Sequence, residues 1–239
     1  MLARIEREVH RAPGEPDLGA KARQVVIDMA EAVLLFRASR LDDAHDHRLL
    51  HPARTLILLL EAGGADPESL SAAPMLESRF PDLVPPRAHW PHASGSGQSP
   101  VLELLGQIPR PGRWPETAEG HQRGKVADHA DRQELSQELG AELRGAGPQV
   151  SDDSSLLEHL VALQPEHLRL ALCEMLDQLR HLHVEPGRPA LARGVELARN
   201  VYTPLAIRLA KRGKGDPGAA RLARRFHQWQ DRLGRVTGT

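Results

Sequence analysis

A chain of 239 residues is long enough to bury a sizeable core, and its 31 basic and 32 acidic side chains leave a net charge of −1, which argues against a nucleic-acid or anionic-membrane partner. Aromatic residues amount to 3%, with one tyrosine, which disfavours an all-β sandwich, and the single Cys173 excludes an intrachain disulfide or a cysteine zinc framework. The longest apolar run, Leu56 to Leu60, is too short to cross a bilayer, and the charged opening MLARIEREVH is unlike a secretory leader, so a cytoplasmic protein is expected.

Residues 1–19 read as an N-terminal extension. In DLGAKARQVVIDMAEAVLLFRAS, Val26, Met29, Val33 and Arg37 recur on one helical face, broadened by Val25, Ala32 and Leu35. The next helix is expected to begin at Pro52, since a proline at the first helical position loses no hydrogen bond. It should stop at Gly63-Gly64. Asp66-Pro67 opens another helix, running towards Ser78. Residues 81–98 are rich in Pro, Gly and Ser and read as a long loop, as do residues 106–118. Between them Ser99-Pro100 starts a short helix, PVLELLG.

A polar helix is expected over 119–144, followed by a linker, and strong helical patterning resumes over 154–212. Asp216-Pro217 opens the last helix, with Leu222, Phe226, Trp229 and Leu233 on one stripe. No segment shows sustained period-two alternation. The fold class is therefore all-α. The organisation is one helical domain over 20–212, with 81–153 as an inserted irregular segment and 213–239 as a closing helix.

Two stretches carry a resemblance. HPARTLILLLEAGGADPESLSAAPMLES resembles the start of the HD-type hydrolase domain of the Rel/SpoT alarmone enzymes and small alarmone hydrolases. There a His-Pro begins a helix and a later helix ends in His-Asp. Downstream, LRLALCEMLDQLRHLHVEPGRPALARGVELARNVYTPLAIRLAKR is similar to that family's Lys-Leu-Ala-Asp-Arg-Leu-His-Asn-Met-Arg helix and the Tyr-Ala-Pro-Leu-Ala-x-Arg-Leu that follows it. Tyr202, Pro204, Leu205, Ala206, Arg208 and Leu209 match the second motif. Together the two stretches cover about half the chain, in the family's order.

The resemblance implies an HD-type helical fold and metal-dependent hydrolysis of (p)ppGpp, the chemistry of the stringent response. A diphosphate ester is heavily anionic, so its hydrolysis calls for a hard cation held by imidazole and carboxylate. Of the family's ligands this chain keeps His51. The His-Asp pair stands as Glu77-Ser78, the later Asp as Glu174, and the His-Asn after it as Asp177-Gln178. Of the water-positioning Glu-Asp pair, Pro81 replaces the first and only Asp82 remains.

These replacements point to a catalytically degenerate relative that needs no cofactor and binds a guanine nucleotide such as ppGpp, or a protein partner. Arg37, Arg40 and Arg48 precede His51 where the family has a basic pair, and Arg180, Tyr202 and Arg208 would complete a nucleotide pocket. The alternative is an active phosphohydrolase holding Mn2+ or another divalent ion on His51, Glu77 and Glu174, with Asp82 as the vestige of the catalytic pair.

Without the resemblance, the same residues have plainer readings. Glu77 at a helix C-terminus opposes the macrodipole and calls for an arginine partner, Arg79 or another. Glu174 lies off the Leu168, Leu172, Met175, Leu179 stripe and reads as solvated. Cys173 reads as a small core residue.

Overall fold

The computed structural model describes residues 1–11, 19–41, 46–63, 65–77, 83–86, 90, 100–111, 149, 150, 152–182, 188–213 and 215–237. Among them the fold is all-α, with one two-residue parallel pairing. Its helices are α1 Leu2–Arg11, α2 Ala20–Ala38, α3 His47–Ala62, α4 Pro67–Ala72, α5 Pro100–Gln107, α6 Asp153–Ala162, α7 Pro165–His181, α8 Arg188–Leu197, α9 Thr203–Arg212 and α10 Pro217–Thr237. Strands β1 Arg110–Pro111 and β2 Gln149–Val150 pair in parallel. They set Arg110 beside Gln149 and Pro111 beside Val150. The polar helix expected over 119–144 lies outside the described residues. No described helix is long and apolar enough to cross a membrane.

The extension contains α1, whose Ile5 and Val9 are fully buried. One turn apart on the same face, they pack against α2 and α3. On α2 the expected stripe is observed, including Arg37, which is fully buried among Val26, Met29 and Val33. Leu35 departs from it and is 63% exposed.

Helix α3 begins earlier than its proline suggested. The Asp46 carboxylate accepts the Arg48 backbone N–H at 2.8 Å and caps a helix that starts at His47. Pro52 therefore lies inside the helix, where it leaves the Arg48 carbonyl without its donor. A guanidinium fills that place: Arg37 Nη1 donates to Arg48 O at 2.7 Å.

At its far end α3 stops at Gly63, whose φ of 67° suits glycine. Arg169 of α7 donates to the Ala62 carbonyl at 2.7 Å and to the Asp216 carboxylate at 2.6 Å. Asp216 in turn accepts the N–H groups of Gly218 and Ala219, at 2.9 and 3.0 Å, and so caps α10. One buried cation thus joins three helices.

Asp66 caps α4 as expected, accepting the Ser69 N–H at 2.6 Å. After α4 the chain passes through a 3-10 turn, Ala73–Met75, and becomes extended at Leu76. Glu77 accordingly sits beyond the helix end. Helix α7 is the central element, buried continuously from Leu168 to Leu179 and packed against α3, α4 and α10. Between α8 and α9 a π-helical turn, Ala198–Tyr202, precedes Pro204. The wider turn accommodates a proline whose ring and missing N–H would disrupt a regular helix.

Candidate functional site

Three elements deliver the cluster: the first turns of α3 bring His51, the segment after the 3-10 turn brings Glu77, and the middle of α7 brings Glu174, Asp177 and Gln178. All five are buried. One ligand atom each from His51, Glu77 and Glu174 lies within 4.8 Å of the others, so this group could hold a metal ion. His51 Nε2 is 3.9 Å from Glu77 Oε2 and 3.8 Å from Glu174 Oε1. Residues 51, 77 and 174, far apart in sequence, therefore converge. Ser78 and Asp82, and with Asp82 the vestigial catalytic position, lie outside the described residues.

Glu174 is not the solvated carboxylate its off-stripe position suggested. It is 3% exposed, because α7 is packed on several sides and buries its polar face as well. The expected arginine partner of Glu77 is Arg37, with Nη2 to Oε2 at 2.8 Å. The Arg on the apolar stripe of α2 was the sequence signal for this pair. Burial pulls the Arg37 guanidinium below its ordinary value, and the Glu77 charge works against that shift.

Behind His51 stands Asp177, 2.8 Å from Nδ1. It also accepts from Arg54, whose Nε donates to Oδ1 at 2.9 Å while Nη2 donates to the His47 carbonyl at 2.6 Å. Burial pushes the Asp177 carboxyl up, but the hydrogen bonds and charges of His51 and Arg54 outweigh it and hold the group at about 2. For His51, burial acts downward, and the carboxylates of Glu77, Asp177 and Glu174 carry the imidazole above its ordinary value. Sequence reasoning gave Arg54 no role. It lies one turn before Leu58 on a helix read for His51, its proline, its glycine stop and its apolar run.

The centre of the cluster belongs to Gln178. Its amide nitrogen is 3.1 Å from Glu77 Oε1, 3.2 Å from Glu174 Oε1 and 3.3 Å from His51 Nε2. Two of these neighbours are carboxylate oxygens, so the amide must turn its N–H groups towards them. On its other side His51 donates Nδ1–H to Asp177, while the two amide hydrogens go to the two carboxylates.

The donor set suits a hard divalent ion, and a carboxylate on the far imidazole nitrogen is the arrangement that orients a histidine ligand. Such an ion would have to displace the Gln178 amide and compete with Arg37 for Glu77. Above the cluster, a crevice lined by His47, Arg48, Arg54 and His181 is too tight to admit a water molecule.

The expected nucleotide residues do not form one pocket. Arg48 lines the crevice but is bound to Asp46, its Nε 2.9 Å from Oδ1. Arg180 is not among the crevice's lining residues and lies 4.0 Å from Asp177. Arg37 is internal, and Arg40 lies over the Phe36 ring at 5.1 Å. Tyr202 is a core residue stacked on Phe226, with ring centroids 6.3 Å apart. Arg208 lines a different cavity, of about 200 Å³, with Leu163, Pro165, Leu168, Leu205 and Arg212.

Comparison of the chain with protein families, with curated proteins and with solved structures gives no match. The family resemblance accordingly rests on the quoted motifs.

Proposed function

We propose that this chain is a catalytically degenerate relative of the (p)ppGpp hydrolases, an HD-type helical scaffold that binds a guanine nucleotide such as ppGpp without hydrolysing it. The observation that carries this reading is the Gln178 amide nitrogen, 3.1 to 3.3 Å from His51, Glu77 and Glu174. A neutral amide there takes the interactions a metal ion would otherwise take. Arg37 on Glu77 supports the same reading, because it supplies fixed positive charge where catalysis would need an exchangeable cation. Arg48 and Arg54, which line the crevice, carry planar donors of the kind that suits phosphate, and a nucleotide phosphate would have to draw them from Asp46 and Asp177. The guanine base and a cytoplasmic, stringent-response setting come from the motif resemblance.

The alternative, an active metal-dependent phosphohydrolase with substituted ligands, is favoured by the convergence of His51, Glu77 and Glu174 within 4.8 Å and by Asp177 behind the imidazole. A divalent ion bound there would polarise a phosphoryl oxygen and acidify a bound water. The chain's own residues would hold it through His51 Nε2 and the two glutamates.

Calorimetric titration of chelator-treated protein separates the readings. The expected result is ppGpp binding without metal, weakened by Arg48→Ala and Arg180→Ala, and no diphosphate release with Mn2+. Mn2+ binding that is lost in His51→Ala, together with diphosphate release, overturns it in favour of the enzyme. Silence in both titrations overturns it in favour of a protein-partner role.

A further inference from the structure

The net charge of −1 hides a segregation along the chain. Residues 199–239 hold ten arginines and lysines against two aspartates, whereas residues 1–198 hold twenty-one basic residues against thirty acidic ones. Eight of those ten basic residues fall on α9 and α10, which pack against each other. Arg208 and Arg212 are exposed on α9, and Arg221, Arg224, Arg232 and Arg235 on α10.

The four on α10 form one stripe. At 3.6 residues per turn, positions 221, 224, 232 and 235 fall within roughly 80° of arc and span about 21 Å. Of the two aspartates, Asp216 is held by Arg169 and the α10 N-terminus. Asp231 is the single acidic side chain exposed on α10.

The chemistry of this face selects its partner. A membrane-lying helix needs an apolar face for the lipid, but Leu222, Phe226 and Leu233 are buried in the core. A protein interface needs aromatic or aliphatic anchors, and Val236 is the one large apolar side chain exposed on these helices among the described residues. Phosphates of a nucleic-acid backbone need neither, and arginine's planar fork matches them. We infer that the arginine stripe of α10 binds a nucleic-acid backbone without sequence preference. The inference is independent of the reading given for the His51 cluster.

Fluorescence anisotropy with labelled random-sequence duplex and single-stranded 20-mers tests it across salt concentrations. Four backbone contacts, at about −0.9 per phosphate in log–log slope, predict roughly a hundredfold loss of duplex affinity between 50 and 200 mM salt. Arg221→Gln/Arg224→Gln, with helicity checked by circular dichroism, should weaken binding and reduce the slope by about two. Lys21→Gln, on α2, should leave both unchanged. No binding at the lowest salt, binding unaffected by the double variant, or a preference for anionic vesicles over both oligonucleotides overturns the inference.

Discussion

Arg37 and Glu77 face each other at 2.8 Å with neither side chain exposed to solvent. The pair links α2 to the segment that follows the 3-10 turn, and the same guanidinium holds the carbonyl that Pro52 leaves without a donor. Removing one partner strands a buried charge, which typically costs about 3–5 kcal/mol. Arg37→Met should therefore lower stability by that order in chemical denaturation. Arg37→Met/Glu77→Met should recover much of the loss, because a buried ion pair is often replaceable by apolar groups. A double variant no more stable than the single would show that the pair is not acting as a unit.

Gln178 makes a separate prediction. Gln178→Ala removes the donor shared by Glu77 and Glu174, and leaves His51 Nε2 facing two carboxylates at 3.8 and 3.9 Å. Loss of buried hydrogen bonds to charged groups should cost about 1–3 kcal/mol in the presence of chelator. Millimolar Mn2+ should then raise the melting temperature of the variant, by linkage, and leave that of the wild type unmoved. An equal Mn2+ response in both proteins would mean that the amide does not block the site.

Much of this arrangement could be read from the residues, and the misses have physical causes. Arg37 on the face of Val26 and Val33 was a visible sign of a buried cation, but the resemblance cast it as a nucleotide contact. The caps at Asp66 and Asp216 and the stop at Gly63 followed from local chemistry, which a single sequence displays. Pro52 misled, because what permits it inside α3 is a guanidinium from another helix. Glu174 misled in the same way. Periodicity identifies the most apolar face of a helix, but cannot tell that α7 is surrounded and buries its polar face too. Total charge could not show the local excess, since an average over the chain hides the basic segment 199–239.

Two groups of the cluster give opposite limbs of a pH profile. His51 is raised above its ordinary 6.5, so its contribution is full below 6.5 and is lost as pH rises through the folded value. Asp177 is lowered from 3.8 to about 2, so its contribution is full above 3.8 and is lost as pH falls towards 2. The acid limb is worth on the order of 2 kcal/mol. These groups should thus contribute most between about pH 4 and 6.5. Urea midpoints should decline above pH 6.5 in the wild type, and less in His51→Gln. A wild-type midpoint that rises from pH 6.5 to 9 contradicts the assignment.

Cys173 is fully buried on α7, and burial pushes its thiol up to about 12. Its thiolate is scarce at neutral pH and inaccessible, so it should resist a thiol reagent in the folded protein and react stoichiometrically in denaturant. Rapid labelling under native conditions would mean that α7 opens locally.

Gly218 of α10 sits against Ala62 at the end of α3. A Cβ built on it would lie 1.6 Å from the Ala62 carbonyl oxygen, a backbone atom that cannot rotate away. The same carbonyl is held by Arg169, which also grips Asp216, the cap of α10. Gly218→Ala must therefore push the N-terminus of α10 off the end of α3 and loosen that ion pair with it. Overpacking of this kind usually costs about 1–3 kcal/mol, and loss of the cap contact adds about 1 kcal/mol. A fall of several degrees in melting temperature is expected for Gly218→Ala, against little change for Gly106→Ala, where an added Cβ meets nothing within 4 Å. Equal melting temperatures for the two variants would mean that α10 does not seat on α3 through Gly218.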